Sequence, residues 1–336
     1  MSGASTRGGT GGTGGEGGKS GRSGNGNGNG DGKARRTPAA AVRWWWETRV
    51  RSWWSVRLPA ARRRRASAGA PTLGFTRRGT ELGDSIDGGI TAILTVYRRG
   101  EYLAAQIDAL RAQSVPPDEI WVWCNDGDVP LEDVSPLVDR VIVSNSNWKF
   151  WGRFAIANLA RTEHVGLYDD DVLPGPRWHE NCLATIAAGH DGILGGSGVV
   201  LPLAGGYSSR HKVGWNGHHL DAPREVDLVG HAWFFRKAHL RFMWAGQPSS
   251  WQNGEDIHFS CMAAMHGDVR TWVPPHPEGE RELWSCRPDF GKRVGRTSAA
   301  TFKAAGHHAV RDEMVDACRA AGWRIVAERE PPGAGS

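Results

Sequence analysis

The stretch "ITAILTVYRRGEYLAAQIDALRAQSVPPDEIWVWCNDGD", residues 90–128, decides how the chain is read. It opens on an unbroken apolar, β-rich run, residues 90–97, which predicts a buried strand. Leu103, Ile107 and Leu110 then repeat at i, i+4 and i+7, the spacing of a helix. Pro116 and Pro117 end that helix, and Ile120–Cys124 predicts a second strand running into the polar turn "NDGD". Further on, "RVIVSN" (140–145) predicts a strand, "GRFAIANLAR" (152–161) a helix and "HVGLYDD" (164–170) another strand. Strands alternating with helices build an α/β fold with a mostly parallel sheet, and such sheets hold ligands beyond the carboxyl ends of their strands. The acidic turns "CNDGD" and "YDDDV" both fall at that position and are expected to face one crevice.

The second of these turns gathers Asp169, Asp170 and Asp171 at the end of an apolar strand. Adjacent carboxylates repel, and burial strengthens the repulsion, so something positive should meet them. Hard oxygen ligands suit Mg²⁺ or Mn²⁺, and ions of that kind need only one or two protein carboxylates when a substrate brings phosphate. On an extended backbone Asp169 and Asp171 would point one way and Asp170 the other. An acidic surface turn is the plainer reading of such a triplet. An EF-hand loop is excluded, because the required Gly and Glu do not follow.

The second half carries "VDLVGHAWFFRKAHL" (226–240), which predicts one strand, with Gly230 permitting close backbone approach. Trp233 and Phe234 suit core packing by default, and stacking on a sugar face as the functional alternative. In "NGEDIHFSCMAAMHG" (253–267) Glu255 and Asp256 open a helix, since Ile257, Cys261 and Met265 recur at i+4. Acidic residues in a first helical turn also serve capping. "AVRDEMVDACRAAGWRIVAER" (309–329) predicts a closing helix and strand. His276, in the Pro-rich "PPHPEG", is a candidate for folding over a diphosphate or ligating a metal, although a lone loop histidine is more often neither. Arg287, Lys292, Arg293 and Arg296 form a basic run, either a phosphate lid or a solvated segment.

Composition bounds the rest. The chain has 336 residues and a formal net charge of +5. Residues 1–40, dominated by Gly, Ser, Thr, Asn and Arg, have too little to bury and are expected to be disordered. Residues 41–85 hold most of the excess positive charge. Within them Trp46, Val50, Trp53 and Trp54 share one helical face beside "ARRRRA" (61–66), the composition of a helix lying on an anionic membrane surface. A packing helix or an unstructured leader is the alternative. Five cysteines scattered without CxxC pairing argue against a disulfide framework and a structural zinc site. No run of 18 apolar residues predicts a membrane span, and no signal-peptide pattern opens the chain. The expected location is cytoplasmic, peripheral to a membrane if residues 41–66 attach, with no nucleic-acid partner.

Taken in order, "ITAILTVYRRGEYLAAQIDALRAQSVPPDEIWVWCNDGD", "GRF", "YDDDV" and "NGEDIHFS" resemble a GT-A fold glycosyltransferase of the family 2 type. The "VWCND" strand end and the "GRF…YDDDV" order also resemble the exostosin-like branch, family 64. The resemblance spans residues 88–290 approximately and implies a single Rossmann-like catalytic domain, residues 86–330. It further implies that Tyr97 and Asn125 sit in the nucleotide pocket, Asn125 standing where many relatives carry Asp. By the same likeness Arg153 touches the nucleotide diphosphate. Asp169 and Asp171, as a DxD motif, bind Mn²⁺ or Mg²⁺, and Asp169 and Asp170 contact the nucleotide sugar. Asp256 with Glu255 is the late acidic pair beside the acceptor. The implied function is transfer of a hexose from a UDP- or other NDP-sugar to an acceptor hydroxyl of a carbohydrate or a lipid-linked acceptor, inverting in family 2 and retaining in the exostosin-like branch. Departure of the diphosphate develops negative charge that a dication and an arginine would stabilise, while a carboxylate takes the acceptor's proton.

Two other readings compete. A nucleotidyltransferase shares the acidic metal site but usually carries a Gly-rich basic loop after its first strand, whereas "TVYRRGEYL" has one Gly and a helix start. A non-catalytic carbohydrate or membrane-surface binding protein accounts for residues 41–66 and leaves both acidic motifs without a purpose. No GxSxG or HExxH motif supports a hydrolase.

Overall fold

A computed structural model of the chain describes residues 86–97, 99–126, 131–215, 217–294 and 306–329. All of them lie in the second of two units, Arg78–Ser336. The expectations for residues 1–40 and 41–85, including the surface helix, and for Arg296 lie outside the described residues.

The strand predicted first is β1 (Ile86–Val96), and the helix behind it is α1 (Leu103–Arg111), leading into β2 (Glu119–Asn125). Then come β3 (Arg140–Ser144), α2 (Gly152–Ala157), β4 (Thr162–Tyr168) and α3 (Trp178–Ala187). The short strands β5 (Gly192–Leu194), β6 (Ser197–Val200), β7 (His211–Gly214), β8 (Arg224–Val226), β9 (Leu228–Gly230) and β10 (Trp233–Arg236) follow. The closing elements are α4 (Leu240–Met243), α5 (Glu255–Gly267), β11 (Arg270–Val273), α6 (Pro288–Val294), α7 (His307–Ala320) and α8 (Val326–Arg329).

Eight strands form one sheet in the order β3-β2-β1-β4-β10-β5-β11-β8, and β7-β6-β9 form a smaller one. Pairings β1–β2, β1–β4, β2–β3 and β5–β11 are parallel, while β10 runs antiparallel to both its neighbours and β8 to β11. Side chains alternate across this sheet and fill two cores. Ile90, Ala92, Leu94, Val96, Ile120 and Val122 face a core closed by Leu103, Ile107 and Leu110 of α1 and by Trp178 and Cys182 of α3. Ile93, Trp121 and Trp123 face the other way, onto Phe154 of α2 and Phe259 and Ala263 of α5. Helices therefore cover both faces, which is why β1 and β2 read as continuous apolar runs. Among the described residues no helix is long and apolar enough to cross a membrane.

Three expectations need correcting. The segment 226–240 is not one strand: His231 and Ala232 both adopt the left-handed region (φ 60° and 66°), which ends β9 and redirects the chain into β10. Nor does Gly230 admit a close backbone neighbour, since a Cβ there would meet only Trp233 Cζ2, at 3.9 Å. Close backbone approach occurs instead at Gly192, where a Cβ would lie 2.1 Å from the Arg270 carbonyl oxygen. The closing strand is also a helix, α8. Glu328 Oε2 reaches back to accept from Ile325 N–H at 3.0 Å, and Asp227 Oδ1 accepts from Val326 N–H at 2.7 Å. Those two bonds cap a helical turn and leave nothing for a strand ladder.

Asp227 also accepts from Leu201 N–H at 2.6 Å, so one buried carboxylate clamps three segments. Burial pushes its carboxyl up to about 6, against those two backbone donors. Asp227→Ala leaves two buried N–H groups unpartnered, an expected loss of about 1–3 kcal/mol for each. A carboxyl raised on folding contributes stability that is complete below its unfolded value and lost as pH rises through about 6. Thermal melts should therefore show a larger deficit for Asp227→Ala at pH 5 than at pH 8. Equal deficits would contradict this role for the carboxylate.

Candidate active site

The strand order reverses at β1, which lies between β2 and β4. Crevices at such switch points, beyond the carboxyl ends of the strands, are where open α/β sheets hold ligands. Here the ends are marked by Tyr97 after β1, Asn125 closing β2 and Asp169 following β4. The sheet topology thus gathers the three sequence-selected ends along one edge.

The aspartates do not alternate as an extended strand would place them. β4 stops at Tyr168 and the triplet lies in a turn. Gln106 of α1 fixes that turn by donating Nε2 to the Asp169 and Val172 carbonyls at 2.8 and 2.7 Å. Two arginines supply the positive charge that the triplet requires. Arg153 on α2 bonds Asp169, and Arg99 bonds Asp170 while its Nη1 lies 3.3 Å from Asp171 Oδ2. Arg99 also donates to the Val294 carbonyl at 3.1 Å, which ties α6 to the cluster. Burial pushes the Asp170 carboxyl up to about 7 despite the Arg99 bond. Asp169 and Asp171 are the more open members, with side chains 29% and 21% exposed against 8% for Asp170.

Arg153 joins the two acidic motifs. Its Nη2 reaches Glu255 Oε1 at 3.0 Å while Nη1 holds Asp169. The guanidinium is buried over the Trp233 ring, 4.3 Å from its centroid. Burial disfavours its charge, but Asp169 and Glu255 overcome that and hold its pKa above the ordinary value. Burial, followed by the neighbouring Asp256, pushes the Glu255 carboxyl up to about 7. Asp256 has both oxygens engaged, Oδ2 by Arg311 of α7 at 2.5 Å and Oδ1 by Ile257 N–H at 2.9 Å. Gly254 is the N-cap of α5, and Glu255 and Asp256 occupy its first turn, where their charge also complements the helix dipole.

The remaining sequence-selected residues are engaged by other parts of the protein. Asn125 binds the loop beside it: its Nδ2 donates to the Lys149 carbonyl at 2.8 Å and its Oδ1 accepts from Trp148 N–H at 2.8 Å. Trp233 is a core residue, packed edge-on against Phe154 at 5.9 Å. His276 is fully buried, with Nδ1 against the Pro274 carbonyl at 2.8 Å and Nε2 accepting from Ser285 N–H at 3.2 Å. Burial pushes it down to about 4, and both ring nitrogens are engaged inside the protein. Arg287 lies 3.8 Å from Asp289, and Lys292 and Arg293 are exposed on α6.

Three residues at the site were not among those selected from the sequence. Arg99 comes three residues after the end of β1, and its place after a strand end was a usable signal. Arg311 arrives from α7, 55 residues beyond Asp256, with nothing local to announce it. His231, on the strained link before β10, stacks on Trp215 at 4.3 Å, and its Nδ1 is buried without a hydrogen-bond partner in the protein. The charges of Asp169 and Asp171 act on it, opposing the burial that lowers its pKa.

Residues 91–243 match the family model described as Glycosyl transferase family 2. Comparison with curated proteins gives no match. Among solved structures, S. aureus TarS is similar at 18% identity and a TM-score of 0.43, over 56% of this chain and 35% of that one. TarS 1-349 is similar at 18% identity and a TM-score of 0.42, and the same fragment in complex with UDP at 17% and 0.42; each covers 56% of this chain and 58% of the other. The chain thus spans only part of the length of the structures it matches.

Proposed function

From the glycosyltransferase family 2 domain at residues 91–243, we propose a nucleotide-sugar-dependent enzyme that moves a hexose to an acceptor hydroxyl. The observation that carries this reading is Arg153, whose single guanidinium ties Asp169 to Glu255. In this reading Asp169 belongs to the diphosphate end of the transfer and Glu255 to the acceptor end. UDP is the nucleotide of choice for a first test, because it is the ligand named for a similar structure.

Asp169 and Asp171 fit a dication. They offer hard oxygens and are the open members of the triplet. No group of three or more His, Cys, Asp or Glu among the described residues is placed to hold an ion, so water and substrate phosphate would complete the shell. Mn²⁺ or Mg²⁺ bound there would neutralise charge on the departing diphosphate. Arg153 and Arg99 act on that same charge, since both guanidiniums already face the turn and need only exchange carboxylate for phosphate oxygens. Asp170, the buried member, keeps Arg99 oriented.

At the other end, Glu255 and Asp256 take up the acceptor's proton as a pair. Glu255, held at about 7, is matched to proton transfer near neutral pH, and Arg311 fixes the position of Asp256. The test is release of UDP from UDP-sugars in Mn²⁺ by wild type and by Asp171→Ala. Loss of turnover by about 10²-fold or more supports the reading. Full activity in Asp171→Ala, or pyrophosphate release from a nucleoside triphosphate instead, would overturn it.

A further inference from the structure

We infer that the tryptophan-lined hollow beside α2 is an acceptor subsite that takes a pyranose ring by stacking, an inference that rests on the transferase reading above. The hollow has a volume of about 510 Å³, within the range of small-ligand sites. Trp148, Trp151, Trp244 and Trp251 line it, with Ser146, Asn147, Lys149 and Gln252 at its polar edge. Trp148, Trp244 and Trp251 are 59%, 40% and 50% exposed. Every exposed tryptophan among the described residues is therefore turned into one hollow, although scattering is the usual fate of surface aromatics.

The hollow is built, not incidental. Trp151, itself buried, donates Nε1 to the Trp251 carbonyl at 3.0 Å and meets the Trp251 ring edge-on at 4.9 Å. Asn125 pins the opposite wall through Trp148 N–H and the Lys149 carbonyl, and Lys149 is held in the left-handed region at φ 53°. A non-glycine residue kept there costs free energy that the loop must offset elsewhere.

Its chemistry and its place select the ligand. Broad aromatic faces beside amide, hydroxyl and ammonium groups suit a sugar, which has an apolar C–H face and a rim of hydroxyls. A purely lipid acceptor would leave the polar edge unmatched. The wall residue Trp251 is four positions before Glu255, and the floor residue Trp151 two positions before Arg153. A sugar seated in the hollow thus lies along the chain segments that carry the proposed proton acceptor and the diphosphate arginine.

The experiment uses the full chain on a glycan array, with UDP affinity measured in parallel by calorimetry in Mn²⁺. Wild type should retain a set of glycans. Trp148→Ala and Trp251→Ala should each weaken that retention by about ten-fold, with UDP affinity unchanged. Leu203→Ala, at an exposed apolar residue outside the lining of the hollow, should alter neither. Retention of glycans undiminished in the tryptophan variants, or no glycan retained by wild type, overturns the subsite. A fall in UDP affinity without change in glycan retention also overturns it and makes the hollow a nucleobase site. Failure of wild type to bind UDP at all would instead count against the transferase reading.

Discussion

Arg153→Met is expected to lower both turnover and stability more than any other single change at the site. The guanidinium is almost fully buried and is the common partner of Asp169 and Glu255. Methionine fills part of its volume against Trp233 and Phe154 but leaves a buried carboxylate without its cation. Breaking one side of a buried ion pair costs about 3–5 kcal/mol, much of it the desolvation of the group left behind. Loss of a positioned cation at a developing diphosphate costs about 10²–10³-fold in rate. Arg153→Lys keeps the charge but not the fork, so it cannot reach both carboxylates in the same way and should recover stability better than rate. Denaturant titration and UDP release together separate the two effects. If Arg153→Met melts early yet turns over normally per folded molecule, the residue is structural only.

Glu255→Gln is expected to reduce turnover by about 10²–10⁴-fold, the range for a lost general base. The sign of the pH dependence follows from its carboxyl lying at about 7. A base acts when ionised, so wild-type turnover should rise with pH through about 7 and then level. Glutamine cannot ionise, and its residual rate should be flat across that interval. Gln keeps an acceptor oxygen for Arg153, which limits damage to the fold. A Glu255→Gln variant that retains the wild-type rise would assign the proton to another group, with Asp256 the next to replace.

Much of the fold was legible because it is fixed by local pattern. The unbroken apolar runs of β1 and β2 are what a doubly covered sheet requires, and the i, i+4, i+7 set on α1 is buried as its spacing demands. The position of "YDDDV" at a strand end was equally readable, because strand alternation with helices places such ends on one edge. What failed was decided by contacts between distant segments. The strand expected at 226–240 breaks at His231–Ala232, and alanine in particular carries no signal for the left-handed region. The strand expected near the C-terminus becomes α8 because Asp227, 99 residues away in sequence, takes its first amide. His276 looked like a loop ligand, and only the bonds to Pro274 and Ser285 show that both ring nitrogens are used inside the protein. The alternation assigned to the three aspartates failed for a local reason: β4 ends at Tyr168, before the first of them. Arg311 was invisible for the opposite reason, since a helical arginine far along the chain is indistinguishable from a solvated one until α7 is docked.

The account as a whole depends on the acidic turn and its arginines forming a site for a metal-bound nucleotide diphosphate. Calorimetric titration of UDP into the full chain, with and without Mn²⁺, tests that most directly when repeated on Asp169→Asn and Asp171→Asn. Wild type should bind UDP more tightly in Mn²⁺, and each variant should lose that gain while keeping the folded baseline. UDP affinity that is the same with and without Mn²⁺, and indifferent to both substitutions, would contradict it.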